Sequence, residues 1–142
     1  MANTQSMCTS FLSELMTATH NFGTAPTRGT GAADTFKAAL YLTSATVNAS
    51  TTAYSATNEV SGTGYTAGGV TVTNATPPAN TNTSATAGTG YWTPSASISY
   101  TTVTLSTAFD SVLIYNNTQS NRAVSVHTFG AQTVTAGTFT LT

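Results

Sequence analysis

The chain has 142 residues, only 5% of them charged, and a formal net charge of −1. That length fits a single domain with a real core, at a charge content far below the about 25% of an ordinary domain. Three Lys and Arg residues in all exclude the clustered basic surface that phosphate backbones demand, so no nucleic-acid partner is expected. No stretch approaches the about 18 consecutive apolar residues of a spanning helix, so no membrane partner is expected either. Threonine makes up roughly a quarter of the sequence and is β-branched, which suits a pleated, half-buried surface. Low net charge, with six Tyr, six Phe and one Trp, favours a folded chain over a disordered one. The single Cys8 allows no internal disulfide, and the first residues lack the basic start and apolar run of a signal peptide. Synthesis in a reducing cytoplasm is expected. Asn48, Asn74, Asn82 and Asn116 begin N-x-S/T triplets, which this composition produces by chance.

In chain order, "TSFLSELMTATHNF" places Phe11, Leu12, Leu15 and Met16 on one helical face. The pattern predicts one helix over residues 9–20, capped by Thr9 or Ser10, with Glu14 in its first turns. "GTAPTRGTG" is a loop by its Gly and Pro. "DTFKAALYLTS" alternates, with Phe36, Ala38, Leu40 and Leu42 on one face and Lys37, Ala39 and Tyr41 on the other, as in a half-buried strand. "GGVTVTN" is a short strand, and residues 75–90, with Pro77-Pro78, form a polar loop or extended arm. "SASISYTTVTL", "FDSVLIYN", "RAVSVHTF" and "GTFTLT" read as four successive strands, with a polar hairpin "NNTQSN" between the middle two. Ile98, Tyr100, Val103, Leu105, Val112, Ile114, Val124, Val126, Phe129, Phe139 and Leu141 look inward. The expectation is a single mainly β domain over residues 1–142: an antiparallel sandwich or barrel, a jelly roll among its forms, with one short N-terminal helix.

The glycine-rich stretch "EVSGTGYTAGGVTVTN" poses the sharpest chemical question. A P-loop needs Lys then Ser or Thr after its last glycine, and here Val70 follows Gly69. A dinucleotide fingerprint needs a following helix, and "VTVTN" reads as strand. Gly62, Gly64, Gly68 and Gly69 are therefore expected to be backbone devices, a bend and a turn or bulge that hold Tyr65 between them. His127, Asp110 and a serine could be imagined as a relay, but no nucleophile elbow is present and alternation puts His127 on the polar face. Two His and one Cys do not supply a zinc site. No catalytic residue, cofactor or metal is expected. Tyr91 and Trp92 in "GYWTP" are the one candidate ligand or partner contact, as an aromatic platform.

"ELMTATHNF", "DTFKAALY", "TTAYSATNEVSGTGYTAGG" and "LIYNNTQSNRAVSVHTFG" followed by "TVTAGTFTLT" together resemble a group of small structural proteins encoded among the head and tail morphogenesis genes of tailed bacteriophages. The resemblance runs from about Phe11 to the C-terminal residues. It implies a virion component made in the host cytoplasm, with no active site to carry over. Its first form is a capsid cement or decoration protein that binds the major capsid protein and copies of itself. A neck, tail or fibre part and a carbohydrate-binding module are the alternatives.

Overall fold

A computed structural model describes residues 3–16, 18–22, 33–73, 79–81, 83–92 and 94–142. The loop expected at 23–31, with Arg28, lies outside them, as do residues 75–78 and 82 of the expected arm. The fold is mainly β, with one short N-terminal helix. The strands are β1 (Ser6–Met7), β2 (Phe36–Leu42), β3 (Val70–Val72), β4 (Ala79–Asn80), β5 (Gly90–Tyr91), β6 (Ile98–Asn116) and β7 (Arg122–Leu141), and the helix is α1 (Thr9–Met16). Five strands form one antiparallel sheet in the order β1-β7-β6-β2-β3, while β4 and β5 make a separate small hairpin out of the stretch expected to be an arm. The sheet is open, and its strand order among the described residues is not that of a closed barrel or an eight-stranded jelly roll.

The four strands expected in the second half are two. "STA" and "GAQTVTA" look like breaks, yet neither holds a proline or a turn dipeptide, and the chain passes through them as bulges. The β6–β7 register shifts four times between Tyr100 and Ser111. Each bulge bends the ribbon and raises its twist, and the sum folds it back on itself. Phe109 pairs with Gln132, and Phe139 lies seven residues further along β7, about 23 Å in a straight strand. Their rings nevertheless meet edge to face, with centroids 5.0 Å apart. The far end of the ribbon also reaches β2, where the Tyr100 hydroxyl donates to the Ala38 carbonyl at 2.8 Å. One bent sheet thus gives a sandwich-like cross-section, with the core between its layers.

β2 is more buried than a half-buried strand should be. Phe36, Ala38, Ala39 and Leu40 are inaccessible, because β2 is central and covered on both faces. Phe22 and Trp92 stack over Phe36 on one face. On the other, Tyr54 stacks on Tyr115 and the Tyr41 hydroxyl donates to the Ser55 carbonyl. Tyr100, Val103, Leu105, Val112, Ile114, Val124 and Val126 are in the core, with Phe129, Phe139 and Leu141 packed at its margin.

The helix also differs from expectation. It ends at Met16, not at 20. The Thr19 N–H reaches the Glu14 carbonyl, the Ala18 N–H reaches the Leu15 carbonyl, and Ala18 has φ 55°. These two bonds and a left-handed residue are the Schellman motif, here with alanine where glycine is usual. Glu14 consequently sits in the last turn. Phe11 and Glu14 face inward, while Leu12 and Leu15 are exposed. At the other end Phe11 N–H bonds the Cys8 carbonyl, and the Ser10 hydroxyl is buried with no partner, so neither expected cap is seen acting.

Candidate functional site

The glycine stretch wraps a carboxylate. Glu59, from the same stretch, is buried. Its Oε1 accepts from the Tyr65 hydroxyl at 2.8 Å and from the Gly68 N–H at 2.7 Å, and its Oε2 accepts from the Tyr54 hydroxyl at 2.7 Å. Gly64, Gly68 and Gly69 have positive φ, which gives the compact turn that points the Gly68 N–H inward. At Gly69 an added Cβ would stand 1.7 Å from the Ala38 oxygen, and at Gly62 one would stand 2.1 Å from the Thr104 oxygen. Tyr65 is held between the two glycine pairs. It stacks on Tyr100, and its hydroxyl accepts from the Leu40 N–H. With the Tyr100 hydroxyl on Ala38 and the Val60 N–H on the Leu40 carbonyl, it continues the pairing of β2 beyond the end of β3.

A lysine does stand beside these glycines. Lys37 of β2 lies over Gly68, 3.3 Å from where a Cβ would be. The anion-binding N–H groups are spoken for, however: Gly68 serves Glu59, and Gly69 donates to the Thr66 carbonyl at 2.9 Å. One backbone N–H and two phenols thus hold the protein's own carboxylate where a cradle would hold a ligand's. Burial pushes the Tyr65, Tyr54 and Tyr100 phenols up, with Glu59 adding to the effect, and takes Tyr41 and Tyr115 to about 12. All five remain hydrogen-bond donors in the physiological range.

A second buried polar cluster lies at the C-terminal end of β6. The Schellman turn throws His20 back over α1, where its Nε2 meets Glu14 Oε2 at 2.7 Å. The Asn116 side-chain oxygen is taken by the N–H groups of Thr118 and Gln119. Its amide nitrogen therefore faces His20 Nδ1 at 3.0 Å and Asp34 Oδ2 at 2.7 Å. That arrangement assigns the imidazole hydrogen to Nε2, with Nδ1 as acceptor. Arg122 donates to the other Glu14 oxygen, and Gln119 and the Asn21 N–H donate to Asp34. Burial opposes ionisation of Glu14, but the hydrogen bonds from His20 and Arg122, with the Arg122 charge, outweigh it and hold its pKa below the ordinary carboxylate value. Phe11, Phe22 and Phe36 close over the imidazole. The cluster ties the N-terminal segment to the β6–β7 turn.

The remaining residues singled out in the sequence are dispersed. Tyr91 is exposed, whereas the Trp92 indole turns inward against Phe22 at 4.9 Å and Phe36 at 5.3 Å, its N–H buried without a partner. The two rings do not form a shared platform. His127 is exposed and bonds Ser125, while Asp110 accepts from Asn3, so the imagined relay is not assembled. Asn116, one of the N-x-S/T asparagines, is inaccessible. Among the described residues no three His, Cys, Asp or Glu side chains are grouped to hold a metal ion, and no helix is long and apolar enough to cross a membrane.

Sequence reasoning missed Glu14, His20, Asp34, Glu59 and Asn116 as a set. Scarcity was the available signal. Of four acidic residues, Glu14, Asp34 and Glu59 are buried, so the few carboxylates kept by this chain are largely spent inside it. No protein family, curated protein or solved structure matches this chain.

Proposed function

We propose that this chain is a virion structural protein of a tailed bacteriophage, in the first place a capsid cement or decoration protein that binds the major capsid lattice and copies of itself. The observation that carries the reading is the nearly uncharged exterior: three of the four carboxylates are inside, leaving a surface of hydroxyl, amide and small apolar groups. Such a surface loses water at less cost than a charged one and suits large permanent contacts, while a freely dispersed domain normally carries a mixed charged exterior. The resemblance of its sequence blocks to phage morphogenesis proteins supports the same reading. The mechanism is mass action, since a protein that binds only the assembled shell shifts the equilibrium toward that shell.

Counting copies per particle by quantitative mass spectrometry of purified virions tests this. A cement protein is present on the order of hundreds of copies, following the repeat of the shell. Copies in the ones to tens would move the protein to the neck, tail or fibre, and absence from the particle would end the virion reading. The inward turn of Trp92 removes the main support for a carbohydrate platform.

A further inference from the structure

The two edges of β7 have different fates. One pairs with β6 along its length. The other is covered near its start, where Tyr54 N–H bonds the Asn121 carbonyl, Cys8 N–H bonds the Val124 carbonyl, and β1 pairs with Ser125 and Val126. From His127 to Leu141 no described backbone group pairs with that second edge. An open edge is a template for another strand, and proteins blunt such edges with Pro, charge or bulges. Residues 123–142 contain no Pro, Lys, Arg, Asp or Glu. The bulges end before Phe139, and from there Phe139, Thr140 and Leu141 pair in step with Tyr100, Ser99 and Ile98. The blunting devices therefore stop just where the regular edge begins.

We propose that Gly137–Leu141 is a self-pairing edge, on which a second copy of this chain adds its own Gly137–Leu141 antiparallel about a two-fold axis through Phe139. The sequence of the segment argues for this occupant. Reversed against itself, Gly-Thr-Phe-Thr-Leu sets Phe139 opposite Phe139, Thr138 opposite Thr140, and Leu141 opposite Gly137. The first two are cross-strand pairs that stabilise sheets, and the third places the large side chain beside the residue with none. In an isologous contact one patch meets a second copy of itself, so a patch of single charge sign would repel its twin, and this segment has no charge to oppose it. Phe139 and Leu141 are half-buried, and an added strand covers the apolar margin they leave at the edge. Thr138 and Thr140 are exposed, so they can be changed without entering the core. The pairing gives the self-association in the reading above a location. It rests on that part of the reading alone and is a property of the purified chain.

Light scattering coupled to size exclusion, with sedimentation equilibrium, tests it. The wild-type chain is expected to show a concentration-dependent rise from 14.5 kDa to twice that mass. Thr138→Lys with Thr140→Lys puts two like-charge pairs across the axis and is expected to weaken association by about tenfold or more. The partner variant, Thr138→Glu with Thr140→Glu, should also be monomeric, and mixing the two should restore a dimer. Thr138→Ser with Thr140→Ser, which keeps the pairing uncharged, should dimerise as wild type does. A wild-type chain that stays at 14.5 kDa at every concentration overturns the proposal. So does a Lys/Lys variant, folded by its near-ultraviolet dichroism, that dimerises unchanged. Assembly of the Lys and Glu variants only with themselves overturns the register.

Discussion

The β6–β7 ribbon contains two regions of opposite character. In its inner part, residues 109–116 with 122–128, β6 is covered on both faces and Ser111 to Asn116 are buried without a break. Its outer part, residues 98–105 with 134–141, buries Tyr100, Val103 and Leu105 on one face while residues 134–141 run between exposed and half-buried, and the register slips repeatedly on the way to it. Thr102 and Ala136 flank the Val103–Gly137 pair with φ of 56° and 45°, an uncommon conformation for any non-glycine residue and a true outlier for a β-branched one. Covered faces and bonded side chains hold a register because a one-residue slip would turn apolar residues to water. Where only one face is covered, bulges and left-handed residues become tolerable, and they supply the bend that lets the outer part fold over the inner.

The largest expected effect breaks the inner part. Gly69→Ala places a methyl group against the Ala38 backbone in a left-handed residue, and unfolding should be easier by about 3 kcal/mol or more, measured by denaturant titration. Asn116→Ala comes next. It strands the N–H groups of Thr118 and Gln119 and removes a donor from Asp34 and His20, for a loss of about 2–3 kcal/mol, with the β6–β7 turn and the N-terminal segment losing hydrogen-exchange protection together. If only the turn loosens, the cluster does not tie the two.

A smaller, pH-dependent effect isolates Glu14. Its folded pKa is depressed from 4.5, so the stability it contributes is fully present above that value and is lost as pH falls through the folded pKa. The denaturation midpoint of the wild-type chain should therefore fall below pH 4.5 more steeply than that of Glu14→Gln. Equal slopes would remove Glu14 from the acid response. The smallest effect sharpens the outer part: Thr102→Gly, in a strand where glycine ordinarily weakens, should stabilise by about 1 kcal/mol through relief of the left-handed strain. A lowered melting temperature would show that the threonine methyl or hydroxyl outweighs that strain.

Much of this contrast is beyond single-sequence reading. Alternation in "FKAALYL" and the continuous apolar run in "SVLIYN" gave away the inner strands and the core side chains. The bulged passages carry the same Thr, Ala and Gly that mark turns elsewhere, so one long ribbon read as separate strands. The helix start was legible from the helical spacing of its apolar residues, although the expected caps, Thr9 and Ser10, lie within its first turn. Its end was not, since Ala18 fills a place that glycine usually signals. Glu59 could be noticed as a lone charge among glycines, but its binding to the Gly68 N–H is completed only by Tyr54 and Tyr65 arriving from either side. Glu14, His20, Asp34 and Asn116 come from four separate segments, and nothing local announces their meeting.

Cys8 has a consequence of its own. Its thiol is inaccessible, packed beneath the start of α1, and burial pushes it up to about 11. Disulfide exchange needs an accessible thiolate, and this sulfur offers neither access nor charge at ordinary pH. Folding therefore locks the covalent state of the chain: the same reduced polypeptide persists whether its surroundings are reducing or oxidising, and any contact it makes with other chains must be held without sulfur.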